Sequence, residues 1–145
     1  MEQTLMKTMD LSNGLKLELY DISRILAGDR WYVGMMVRID IPLADVWSTN
    51  QLLSDYSVEE IRDAVGETVR FQEKRERHYI DEREKDAMLL EMMDFFVKTT
   101  LIYFSHPDFP GKYVLKKFKE NQKERAWRKN DHRGDENGEP GGAHR

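Results

Sequence analysis

The segment Trp31–Pro42, WYVGMMVRIDIP, leaves the chain little freedom. Trp31, Val33, Met35, Val37, Ile39 and Ile41 fall at every second position, and Tyr32, Gly34, Met36, Arg38 and Asp40 fall between them. Six apolar residues at a period of two specify a strand with one face committed to a core. Pro42 has no N–H to give a ladder and closes the strand. Gly34 removes a side chain from the other face, which predicts a bulge or a close neighbour there. Upstream, LKLELYDI repeats the alternation, with Leu15, Leu17 and Leu19 opposed to Lys16, Glu18 and Tyr20. The two strands are expected to pair antiparallel. SRILAGDR connects them, with its turn at Gly28-Asp29. Residues 1–14 read as a polar lead-in ending in an Asn13-Gly14 turn.

Beyond Pro42 the pattern changes. Residues 43–57 read as a loop with one helical turn. Ser57 then stands three residues before Glu60. That spacing is a capping box, in which hydroxyl and carboxylate each bond the other's backbone N–H, and it starts a short helix that stops at Gly66. FQEKRERHYIDEREKD, Phe71–Asp86, carries five basic and six acidic residues. Neither alternate set in its middle is apolar. It reads as an edge strand solvated on both faces, its charges discouraging edge-to-edge pairing. A helix is the competing reading, because Glu, Gln, Lys and Arg favour helices. From Arg83 to Phe104, Leu89, Met92, Met93, Phe96, Val97, Thr100 and Phe104 follow the helical period, and Leu90, Leu101 and Ile102 widen the apolar arc. This helix is expected to be central. SHPDFPG breaks it, and a last helix follows over Lys112–Lys129.

The expected architecture is α+β: a small antiparallel sheet of about three strands packed against a long helix of the C-terminal half, with shorter helices around it. Residues 1–129 form one domain in this reading, and 130–145 form a disordered polar tail. A chain of 145 residues with three Trp, six Tyr and six Phe has enough large apolar groups for such a core.

Ala87–Phe104 is long enough to raise a membrane reading. Glu91, Asp94 and Lys98 argue against it, because each charge is costly at mid-bilayer. The chain has no cysteine, which excludes disulfides and thiolate metal sites and suits a cytoplasmic setting. No apolar signal segment opens it.

The net charge of −4 is unevenly spread. Lys112–Arg133 holds nine basic and three acidic residues, or +6, against −8 for residues 1–111. Lys116, Lys117, Lys119, Lys123, Arg125 and Arg128, with Trp127, could follow a phosphate backbone and stack a base. The plainer reading is a solvated helix end matched to an acidic body. In the connector, Arg24, Asp29 and Arg30, joined by Arg75 and Arg77, are candidates for anion or small-molecule binding. Local pairing with loop backbone and carboxylates accounts for the same residues. His78 with Glu82 has metal-like spacing if helical, yet a site needs three or four ligands and no second histidine is nearby. His78 is retained as a binding candidate and as the only histidine suited to acid-base work. No nucleophile elbow, phosphate loop or zinc-protease motif is present. Arg133-Gly134-Asp135 matches a cell-attachment tripeptide by coincidence.

These features favour a non-catalytic protein-binding or regulatory module, with no cofactor and another protein as partner. A nucleic-acid accessory protein using the basic helix is the first alternative, and an anion-binding domain the second. Oligomeric state is left open, a homodimer included.

Overall fold

The computed structural model describes residues 3–47, 53 and 55–136. The fold is α+β, with a five-stranded antiparallel sheet and four helices among the described residues. β1 spans Thr4–Asp10, β2 Lys16–Asp21, β3 Arg24–Ala27, β4 Arg30–Pro42 and β5 Thr68–Asp81. The helices are α1 (Leu43–Trp47), α2 (Val58–Val65), α3 (Lys85–Ser105) and α4 (Phe109–Glu136).

β4 organises the sheet. β2 pairs with its second half, Leu17 opposite Ile39 and Asp21 opposite Met35. β3 pairs with its first residues, Arg24 opposite Tyr32. β2 and β3 thus share one edge of β4 end to end. β5 runs along the other edge from Asp81 opposite Arg30 to Thr68 opposite Pro42. β1 lies outside β2.

The predicted inward set of β4 is the core. Val33, Met35, Val37, Ile39 and Ile41 are buried with Leu17 and Leu19 of β2. α3 closes over them with Leu89, Met92, Met93, Phe96 and Phe104, and α4 adds Phe109, Val114 and Phe118. Phe71 of β5 sits among aromatic rings, 4.9 Å from Phe104 and 5.3 Å from Tyr113 by centroid.

β5 is an edge strand, as its solvated charges suggested. α2 opens on the expected capping box: the Glu60 N–H donates to Ser57 Oγ at 3.0 Å and the Ser57 N–H donates to Glu60 Oε1 at 3.3 Å. Gly66 follows α2 with φ of 87° and donates its N–H to the Arg62 carbonyl.

The sheet has five strands where about three were expected. β1 was expected to be a polar lead-in, but TLMKTMD pairs with β2 while leaving nearly all its side chains in solvent. With neither face buried, hydrophobic alternation has no reason to mark it. β3 was expected to be part of a connector. Its four residues fold back on β4 through the turn at Gly28-Asp29, so that Ala27 pairs with Arg30. α4 starts at Phe109, ahead of the expected Lys112. Pro110 lies in the first turn, where a missing N–H breaks no intrahelical bond. The helix continues through Glu136, past the expected end at Lys129, and includes the Arg133–Asp135 tripeptide. Residues 137–145 of the expected tail lie outside the described residues, as do 48–52 and 54 of the expected loop. No described helix is long and apolar enough to cross a membrane.

Candidate functional site

Among the described residues the second face of the sheet carries no helix. It protects its apolar atoms with a small cluster of its own: Ile22, Tyr32 and Met36, flanked by Tyr20 and Leu26. Gly34 lies under this cluster. A Cβ there would come within 2.6 Å of the Tyr32 ring and 2.8 Å of Ile22 Cγ1, so the close neighbour expected from the sequence is the Tyr32 side chain. Gly34 also marks where β4 changes partners. Its carbonyl accepts from the Ile22 N–H and its own N–H donates to Ser23 Oγ at 3.2 Å.

Tyr32 gathers the polar groups of this face. Its hydroxyl donates to Glu76 Oε2 at 2.7 Å, the Arg24 guanidinium lies 4.8 Å over its ring, and the His78 ring stands 5.3 Å away. Burial and the Glu76 carboxylate push its phenol up to about 12. At neutral pH it stays protonated and acts as a fixed donor. Arg38 covers Tyr20 in the same way, at 4.7 Å. Arg70 and Asp40 form a two-pronged pair at 2.7 and 3.1 Å, which holds the Asp40 carboxyl below its ordinary range.

The connector candidates divide. Arg24 and His78 meet at Tyr32. Arg30 turns to Asp81 at 3.3 Å and to Asp29 at 3.8 Å. Asp81 also caps the next turn, accepting from the Arg83 side chain and backbone, and its carboxyl is lowered chiefly by that guanidinium. Arg75 lies on the opposite face of the sheet, paired with Glu73 and 5.5 Å over the Phe96 ring. Arg77 donates to the Glu76 carbonyl at 2.8 Å. Arg24 and Arg75 are therefore separated by the sheet, and the four arginines do not share one concavity. Asp21 serves its own loop, accepting the Ser23 N–H at 2.8 Å. Near His78, Glu82 accepts from the Trp31 indole at 3.3 Å. Among the described residues no cluster of three His, Asp or Glu has the geometry of a metal site.

On α4 the basic residues also divide. Lys117 pairs with Glu120 at 3.4 Å, Arg128 pairs with Glu124, and Arg125 donates to the Asp63 carbonyl at 3.3 Å. Lys116, Lys119 and Lys123 fall in line with Lys112 on the outward side of the helix, and Trp127, 70% exposed, continues the line. These four lysines make no ion pair among the described residues. The two glutamates that could have neutralised them are turned to Lys117 and Arg128.

α3 carries several exposed large apolar groups, Leu90 among them at 60%. Ile102 is 81% exposed, Phe95 62% and Tyr103 63%. The sequence suggested a central helix with a wide apolar arc, interrupted by Glu91, Asp94 and Lys98. In the fold those charges share the outer face with Phe95 and Ile102. The signal was present as a spacing of seven, Met88, Phe95 and Ile102, on the side opposite Leu89, Met93 and Phe96. An open groove of about 570 Å³ runs between Met6 and Lys7 of β1 and Leu90, Met93 and Val97 of α3.

No family model, no curated protein and no solved structure matches the chain.

Proposed function

We propose that this protein works by binding another protein, through the outer face of α3. The observation behind this reading is the pair Phe95 and Ile102, two large apolar side chains left in solvent on a helix that packs Leu89, Met92, Met93, Phe96 and Phe104 into the core. Exposed apolar groups gathered on one element favour a contact surface over a solvated one. Aromatic and aliphatic anchors with a polar rim supply most of the energy of such contacts. Glu91, Asp94 and Lys98 would form that rim.

The test compares proteins co-purifying with the tagged wild type and with a Phe95→Glu/Ile102→Glu variant. A partner retained by the first and lost by the second, with circular dichroism unchanged, supports the reading. An identical set of partners in both refutes it.

The lysine line of α4 favours a second reading, contact with a single-stranded nucleic acid. From Lys112 to Lys123 the line spans roughly 16 Å at the α-helical rise. Four phosphate contacts would give a log–log salt slope of about −3. Fluorescence anisotropy of labelled single strands at low and near-physiological salt tests it. A Lys116→Glu/Lys119→Glu/Lys123→Glu variant should lose that binding. No binding by the wild type at low salt removes the reading.

A further inference from the structure

We infer that the partner of the α3 outer face is a second copy of this chain, docked antiparallel with Phe95 on the two-fold axis. The inference rests on the protein-binding reading and goes further by fixing partner and register.

Met88, Phe95 and Ile102 are spaced by seven, so they fall along one line of the helix. Met88 is half-buried and the other two are exposed. Because Phe95 is equidistant from its neighbours, an antiparallel copy centred on it sets Met88 against Ile102 of the second copy at both ends. The apolar seam is self-complementary, as an isologous contact requires. Thr99, beside the seam, donates its hydroxyl to the Phe95 carbonyl at 2.7 Å and brings no unpaired polar group into the contact.

The charges select the direction. Glu91, Asp94 and Lys98 all lie on one flank of the seam. In an antiparallel pair the same flanks of both helices meet, and this register places Lys98 at the level between Glu91 and Asp94 of the second copy. Each lysine then gains two carboxylates in addition to its own Asp94, now 2.9 Å away. A parallel pair sends the charged flanks to opposite sides of the seam, where Thr99 and Tyr103 offer Lys98 no carboxylate.

A single-helix seam of this length buries on the order of 1,000 Å² in total, the lower bound for a specific contact. A contact at that lower bound belongs with weak interfaces, so association is to be sought at micromolar concentrations and above.

Sedimentation velocity over about 5–200 µM should show the mass rising from 17.2 kDa toward twice that value. Phe95→Glu and Ile102→Glu should stay monomeric with unchanged circular dichroism. Lys98→Glu should weaken association, and adding Glu91→Lys with Asp94→Lys should restore it. The chain has no cysteine, so register can be read by oxidation. Phe95→Cys should crosslink to itself, and Ile102→Cys should do so only when mixed with Met88→Cys. A single-protomer mass at all concentrations overturns the inference, as does self-crosslinking of Ile102→Cys equal to that of Phe95→Cys. If the chain is monomeric but the α3 variants still lose a captured protein, the protein-binding reading stands and only the second copy falls.

Discussion

Gly34→Ala should destabilise the protein by about 1–2 kcal/mol, and the value follows from geometry. The added Cβ would sit 2.6 Å from Tyr32 Cε2, 2.7 Å from its hydroxyl and 2.8 Å from Ile22 Cγ1. Ordinary carbon contacts lie at about 3.5–4.0 Å, so ring and branch must each retreat by roughly 1 Å. Neither has free space, because both are buried and the Tyr32 hydroxyl is tied to Glu76 at 2.7 Å. Overpacking of this kind costs typically about 1–3 kcal/mol. Replacing glycine also narrows the unfolded ensemble, which returns about 0.4–1 kcal/mol where the backbone tolerates it. The net loss should lower the melting temperature by about 2–8 °C for a chain of this size. Thermal melts followed by circular dichroism, with urea unfolding for the free energy, give the measurement. In a Tyr32→Leu background the same alanine should cost much less, since the ring it collides with is gone. A Gly34→Ala protein as stable as wild type would refute the argument, as would an equal cost in both backgrounds.

Three other perturbations have expected outcomes. Ser57→Ala removes a reciprocal cap from α2 and should cost about 1 kcal/mol in urea unfolding. Tyr32 holds its proton more tightly folded than unfolded, so the stability it contributes is complete below pH 10 and is lost as pH rises toward about 12. Tyr32→Phe should flatten that part of the stability–pH curve, and an unchanged slope would show that the phenol is not protected. Tyr79 occupies a left-handed backbone position with φ of 58° at the β4–β5 bulge and is 72% exposed. Asparagine tolerates that conformation, so Tyr79→Asn should raise stability by about 0.5 kcal/mol in the same assay.

What the sequence discloses depends on how many faces of an element are buried. β4 buries one face completely, so its alternation is unbroken and its inward residues can be named without a structure. The cap of α2 is legible because it is a local bond between Ser57 and Glu60. β1 and β3 bury almost nothing and leave no periodic trace; what holds them is backbone pairing to β2 and β4, which side-chain pattern does not record. α3 fails in the opposite direction. Its apolar residues extend so far around the helix that the exposed row of Phe95 and Ile102 looks like more core. The basic candidates on α4 show the limit of charge counting. Lys116 and Lys117 are adjacent in sequence but about 100° apart on the helix, which leaves one in the outward line and turns the other to Glu120.

The two long exposed features of this fold are treated differently by its sequence. β5 presents a fourteen-residue edge that pairs with β4 on one side and with no other strand among the described residues. Along that edge Glu73, Lys74, Arg75, Glu76 and Arg77 oppose any flat strand that would add to it, and the Tyr79 bulge bends its end. α3 has charges of its own, yet they flank the seam of Met88, Phe95 and Ile102 without interrupting it. A lysine in place of Phe95 would have solvated the face at no cost to the core, because Phe95 contributes nothing to the buried cluster. A heavily guarded β5 edge beside an unguarded helix face is the pattern that the proposed α3 contact calls for. This contrast is the physical ground for placing the contact on α3 ahead of the sheet.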